Sequence, residues 1–413
     1  MTCTPAVAIP TRHPTERAHA PLVAPLARLL GIAPPSDAEW RVIGEAFTVG
    51  DAPMDELVEW MYSAGMDTTR PLFDKALAEG IASVPDAPEP LRAFFERFEA
   101  PPSWVDWGRI RVGELAFQRA GLDGVYLARC VPFLGGFAVS GINRTLMLTK
   151  TGKSGEVGGA QRFAETLQWA LAVISDGGMA SGGPGYRATV HVRLIHAFVR
   201  RHIGQLPEWR EPEWGVPVNQ TDMAATMLGA LFVPVIAGLT MGMVYTPNEL
   251  DGIVHLTRYT GWLMGVEEHY LPTSVREATK QIYHYLTALN APDDTSRQLA
   301  RPMAGDPLRW HYPNLAPIRR RVAWAQQLSI TRAFIGRRAM QQLGLPTYMP
   351  PWYPAMRIPV NLIRTSLSIA IPGGRDRAAR AGLRQQHNFI KTLIGPKAAA
   401  AIGDSATYLH RAA

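Results

Sequence analysis

Cysteine is nearly absent from this chain, with Cys3 and Cys130 the only two in 413 residues. Two thiols make neither a disulfide framework nor a four-thiolate metal site, and they suit a reducing compartment. A strand signature is also lacking. No stretch alternates apolar and polar residues between hairpin turns, and nothing repeats at a fixed period. The segment Met1–Pro10 has no basic start before an apolar run and no twin-arginine pair. A secretory leader is therefore not expected, and a cytoplasmic, possible membrane-peripheral location is. Charge is missing from Met223 to Asn248, which is long enough to span a bilayer at ~20 residues. Pro234 interrupts that stretch, and Gly229, Gly238 and Gly242 punctuate it. Two helices buried in a large core are the better reading of it, and a membrane span is the other.

What is present is helical periodicity. Asp37 can cap a helix through Trp40, Ile43 and Phe47, and further helices are expected over 55–64, 69–82 and 89–98. Residues 112–133 read as one long helix with a break near Gly121. Helices over 160–175 and 186–203 follow, joined by a glycine-rich connection, and another covers 249–266. The expected fold is all-α. Residues 1–36, rich in proline and alanine, read as a loose arm, and residues 37–300 as a helical domain. Residues 301–413 read as a basic, proline-rich and only partly helical extension packed on the core. Lys150–Gly155 lacks the spacing of a phosphate-binding loop and reads as a flexible loop.

The net charge of +7 is unevenly placed. From Arg301 onward 17 basic residues face 3 acidic ones, about +14, which leaves the first 300 residues near −7. No nucleic-acid motif accompanies this asymmetry, so no nucleic-acid partner is expected. The stretches Pro350–Pro354 and Ile358–Ile363 are apolar between the basic residues. A surface facing a membrane or a second copy is one reading, and a solvated basic face is the other.

One helix carries the most chemistry. Val192, Ile195, His196, Val199 and Ile203 share a face, with Arg193 and Arg200 beside His196. An imidazole on an apolar face with guanidiniums next to it suits an iron porphyrin: His196 for the metal, the apolar chains for the macrocycle, Arg193 and Arg200 for the propionates. An ordinary core histidine is the plain alternative. On the preceding helix Arg162, Glu165, Thr166 and Trp169 form a second stripe, either part of a reaction centre or a surface Arg162–Glu165 pair. His255, His269 and His284, with Glu267 or Glu268, offer a rival non-haem metal site without close ligand spacing.

Five blocks then occur in order. They are Pro102–Asp106 (Pro-Ser-Trp-Val-Asp), Arg162–Thr166 (Arg-Phe-Ala-Glu-Thr), Val192–Arg200 (Val-Arg-Leu-Ile-His-Ala-Phe-Val-Arg), Trp214–Gln220 (Trp-Gly-Val-Pro-Val-Asn-Gln) and Trp262–Glu267 (Trp-Leu-Met-Gly-Val-Glu). Over roughly residues 90 to 290 the chain resembles the family joining bacterial latex-clearing proteins, the rubber oxygenases, to fungal mycophenolic-acid-pathway side-chain oxygenases. The resemblance implies a globin-like helical core with additional helices at both ends, and one haem b ligated by His196. It also implies distal roles for Arg162 and Thr166, and oxygen-dependent cleavage of an isoprenoid carbon–carbon double bond. The expected partners are therefore dioxygen and a small lipophilic substrate. Two departures bear on that substrate. Rubber-cleaving members carry a lysine just before the threonine, where this chain has Glu165. They also carry a carboxylate upstream, where this chain has the carboxylate-free Arg144–Thr149. Both point away from polyisoprene and toward a smaller apolar molecule. A haem sensor without turnover and a cofactor-free, membrane-attached scaffold are the other readings; oligomeric state is open.

Overall fold

The computed structural model describes residues 8–18, 20, 23–149, 158–289 and 291–396. Cys3 and the Lys150–Gly155 segment lie outside the described residues. The described chain is helical with no strand. Its helices of eight or more residues are α1 (Asp37–Glu45), α2 (Ala52–Ala64), α3 (Met66–Glu79), α4 (Glu89–Phe98), α5 (Trp107–Ala128), α6 (Ser140–Leu148), α7 (Gly158–Val173) and α8 (Pro184–Gly204). They continue as α9 (Gln220–Leu231), α10 (Val233–Thr240), α11 (Pro247–Leu263), α12 (Val275–Ala288), α13 (Asp294–Gly305), α14 (Ala316–Gln342), α15 (Trp352–Ala370) and α16 (Gly374–Ile394).

Local chemistry sets many of the ends. Ser36, not Asp37, caps α1, and Glu39 returns the bond to the Ser36 N–H at 2.8 Å. Thr246 and Glu249 form the same reciprocal cap on α11. Prolines stand in the first turns of α2, α4, α8 and α11, where a missing N–H costs nothing.

The long helix α5 is central, and glycine lets other helices reach it. Gly113 lies against the backbone of Gly252 on α11, and Gly382 on α16 lies against the Gln118 carbonyl. Neither site has room for a methyl group. Gly121, at φ 62°, breaks α5 where α16 approaches. Beyond Ala128 the chain widens into a π turn, Arg129–Phe133, which contains Pro132. The break expected near Gly121 is present, and the end of the expected 112–133 helix is a π turn instead. Arg129 is fully buried there and binds Gln327 at 2.8 Å and Asp306 at 2.5 Å. Arg119 likewise binds Glu249 at 2.9 Å.

These contacts correct the expectation for the C-terminal third. In its described part, residues 301–396, it is largely helical: α14, α15 and α16 are long, and α16 packs on both α5 and α7. Pro317 falls in the first turn of α14, and Pro351 lies just before α15, so those prolines begin helices instead of preventing them. The N-terminal arm is not loose in its described part either. Arg12 makes a buried ion pair with Asp222 at 2.6 Å and lies 4.0 Å over the Phe47 ring, and His13 packs on Trp40. The uncharged stretch forms α9 and α10, separated at Phe232. Together they are long and apolar enough to cross a membrane, and 67% of that window is buried inside the protein.

The Gly113–Gly252 approach yields a direct expectation. A Gly113→Val side chain would overlap the Gly252 carbonyl, so this variant should lose about 1–3 kcal/mol in urea unfolding. An unchanged midpoint would show that the helices separate without cost.

Candidate active site

His196 sits mid-way along α8, which is anchored at its start by Gly185 packed on the α7 backbone at Ala172 and Val173. The imidazole is deep within the protein, yet its ring is not fully covered by side chains. Nδ1 is buried with no hydrogen-bond partner. Burial, reinforced by the Arg200 charge, pushes the His196 pKa down to about 4. The ring is therefore neutral near pH 7, the form whose lone pair ligates a metal. Of the apolar stripe around it, Ile195, Val199 and Ile203 pack with Trp209 and Trp214 in a small separate cluster.

The two arginines beside His196 have other commitments. Arg193 is fully buried and makes a two-pronged pair with Asp51, Nε at 2.6 Å and Nη2 at 2.7 Å. It also lies 3.9 Å over the Phe98 ring. Arg200 donates to Asp55 at 2.8 Å and to the Val218 carbonyl at 2.9 Å. The propionate role expected of Arg193 and Arg200 thus meets a structure in which α2 already supplies each with a carboxylate. Sequence gave no sign of this, because Asp51 and Asp55 lie far away along the chain.

The Arg193–Asp51 pair also explains two of the matching blocks. Gly265, at φ 92°, brings its bare Cα against both the Asp51 carboxylate and Arg193 Nε. Gln220 donates to the Gly50 and Gly265 carbonyls at 2.7 and 2.9 Å and accepts from the Glu267 N–H at 2.9 Å. Trp214–Gln220 and Trp262–Glu267 therefore meet behind α8 as its seat.

The opposite stripe follows from register. Trp169 Nε1 on α7 donates to Thr189 Oγ1 on α8 at 3.1 Å. From that contact, seven residues back along α7 reaches Arg162, and seven forward along α8 reaches His196. Both steps are two turns, about 10.5 Å along antiparallel neighbours, so the backbone positions of Arg162 and His196 lie at a similar height on the two helices. Arg162 is as enclosed as His196 and equally incompletely covered. Burial lowers its pKa to about 10, with the Glu165 charge opposing. Its guanidinium lies 5.7 Å over the Phe133 ring, and it forms no ion pair among the described residues. The surface Arg162–Glu165 pair is thus not what forms. Glu165 is buried and accepts from Gln161 at 3.1 Å. Thr166 spends its hydroxyl hydrogen on the Arg162 carbonyl at 3.0 Å. Trp169 is committed to Thr189 and joins the helices. Phe133, which the sequence reading did not select, is delivered under Arg162 by the π turn, whose one sequence signal was Pro132.

The rival metal site does not assemble. No group of three histidine, cysteine or acidic residues able to hold a metal occurs among the described residues. His255 Nε2 accepts the Asp106 N–H at 2.8 Å, His284 pairs with the Ala33 carbonyl at 3.0 Å, and His269 is exposed beside Glu267.

The described residues thus form an all-helical protein whose neighbouring helices α7 and α8 carry Arg162 and a neutral His196. The chain belongs to the family described as "ER-bound oxygenase mpaB/B'/Rubber oxygenase, catalytic domain", matched over residues 125–368. This match starts later than the resemblance read from the blocks and continues through α14 and most of α15. The chain is 22% identical over 234 residues to the rubber oxygenase of Streptomyces sp. (strain K30), covering 56% of this chain. It spans about half the length of that relative, 55%. The fold is similar to latex clearing protein LCP in the closed state, with a TM-score of 0.65 and 17% identity, covering 82% of this chain and 91% of that one.

Two expectations follow. Asp51→Asn leaves Arg193 buried without its counter-charge and should cost about 3–5 kcal/mol in chemical denaturation; a negligible change would mean that the pair does not seat α8. His255 has its pKa lowered to about 4 by burial. The unfolded chain then binds the extra proton first, so this residue favours folding above its usual value of 6.5, and that contribution is lost as pH falls from there toward 4. Replacing it by Gln, which keeps an acceptor for the Asp106 N–H but cannot titrate, should flatten stability against pH across that window.

Proposed function

We propose that this protein is a haem b-dependent oxygenase acting on a small lipophilic, isoprenoid-like alkene, with oxidative cleavage of a carbon–carbon double bond as the reaction. The observation that carries the reading is the pairing of His196, neutral and partnerless at Nδ1, with Arg162, enclosed and without a carboxylate partner among the described residues. Those residues fit the cofactor: His196 would hold the iron through Nε2. When bound, haem supplies the redox-active iron that dioxygen chemistry needs.

The chain's own residues do the rest. Arg162 would supply charged N–H donors to negative charge that develops on oxygen, a stabilisation that is strong in a low-dielectric site. Thr166, one turn away, holds its hydroxyl oxygen beside the Arg162 turn and retains lone pairs to accept a hydrogen bond. Glu165 is buried on the same helix and would receive the allylic proton on a carboxylate oxygen, while the C–H electron pair goes into the substrate's new carbon–oxygen bond with dioxygen. Arg193 and Arg200 act through α8, fixing the imidazole by their pairs with Asp51 and Asp55. A lipophilic substrate is favoured by Phe133 and Phe163 packed edge to face beside Arg162. An apolar recess of about 260 Å³ lies between α10, α12 and α14, lined by Val233, Ile236, Ile282 and Phe334, and shares no lining residue with α7 or α8. The carboxylate of Glu165, where rubber-cleaving members have lysine, favours a small substrate over polyisoprene.

Absorbance with and without dithionite tests this. Protein made with ample haem should show a Soret band that His196→Ala abolishes. Arg162→Ala should keep the band and lower oxygen consumption with isoprenoid alkenes by about 10²–10³-fold. Colourless protein rejects the cofactor; coloured protein that consumes no oxygen with any such alkene supports a haem sensor instead.

A further inference from the structure

Helix α15 is built inside out. The residues it turns to the core are Pro354, Asn361, Thr365 and Ser368. Asn361 is fully buried and donates to the Met241 carbonyl at 3.2 Å, and Thr365 Oγ1 accepts the Val244 N–H at 2.9 Å. The opposite stripe, at spacings of four, three and four, is Met356, Val360, Ile363 and Leu367, and all four are exposed, Met356 by 62% and Ile363 by 61%. A helix in contact with water places these two sets the other way round. The only charged residues of α15 are Arg357 and Arg364. Both turn aside into the protein, Arg357 to Asp123 at 2.6 Å and Arg364 to the Arg119 carbonyl at 3.0 Å. The outer stripe is thereby left uniformly apolar.

The flanks say what covers it. α15 packs between α14 and α16. α14 exposes Ile318 and Val322 among Arg319 and Arg321, and α16 exposes Arg377, Arg380 and Arg384. Over residues 316–394 there are 13 basic residues and one acidic one, Asp376. A second copy meeting this face would bring arginine against arginine. An anionic bilayer takes the apolar stripe into its interface and meets the arginines with phosphate and carboxylate headgroups.

We propose that α15, flanked by the arginines of α14 and α16, is a docking face for an anionic lipid bilayer. The apolar cavity against α10 lies close by: Thr240 lines it, and Gly242 packs on the Ile358 carbonyl of α15. A lipophilic molecule dissolved in the bilayer would thus meet the protein near an apolar recess. The proposal stands independently of haem.

The test is co-sedimentation of the full chain with vesicles of phosphatidylcholine containing roughly one-third phosphatidylserine. Binding is expected, falling with added salt and with pure phosphatidylcholine. I363D/L367D should weaken it at least about tenfold, and R377E/R380E/R384E should weaken it by a similar factor. Circular dichroism checks both folds, and the arginine variant decides if the first unfolds. Absence of binding to the anionic vesicles overturns the proposal, as does binding that survives both variants. A dimer in sedimentation velocity that I363D/L367D dissociates, without vesicle binding, assigns the face to a second copy instead.

Discussion

The buried pair between Arg193 and Asp51 is the constraint on which the site depends. A guanidinium this deep is costly unless it is paired and hydrogen-bonded, and here each of its nitrogens has an acceptor, Asp51 for two and the Leu263 carbonyl for the third, with the Phe98 ring beneath. The arrangement requires α2 beneath α8, a bare Cα at Gly265, and Gln220 bridging the backbones of Gly50 and Gly265. Once those elements are locked, His196 has little freedom in where it points. Its neutral state follows from the same enclosure, since burial and the nearby Arg200 both disfavour the imidazolium.

Cationic side chains near the site divide into two kinds. Arg193 and Arg200 are neutralised by carboxylates and act as fasteners. Arg162 is enclosed without an ion-pair partner among the described residues and keeps its charge for whatever enters. That contrast is invisible in the one-dimensional pattern, where all three are arginines beside apolar residues. It shifts the interest of the site from the arginines flanking the histidine to the single arginine on the neighbouring helix. A π turn contributes to the same contrast by setting an aromatic ring, not a carboxylate, under Arg162.

The distribution of polarity on α15 is the reverse of that in the rest of the fold. Elsewhere apolar residues line the core, and buried charges such as Arg119, Arg129 and Arg193 are paired across the fold. On α15 the polar groups are buried because the backbone ends of α10 need hydrogen-bond partners, at Met241 and Val244. Its apolar residues are left outside as a consequence. Basic flanks then make that exposed stripe specific in the surface it can meet.

Periodicity in the sequence was enough to determine the all-helical class, most helix positions before residue 300, and the face of α8 that carries His196, because these are local properties of side-chain spacing. The Arg162 stripe was legible for the same reason. Tertiary structure alone decided that Arg193 and Arg200 are spoken for by Asp51 and Asp55, that α7 and α8 pack so as to set Arg162 and His196 at a similar height, and that the described part of the proline-rich, basic C-terminal third is built from long helices, α16 among them packed on α5. Each of these rests on contacts between residues more than a hundred positions apart or on the register between two helices. Spacing along one chain segment carries no information about either.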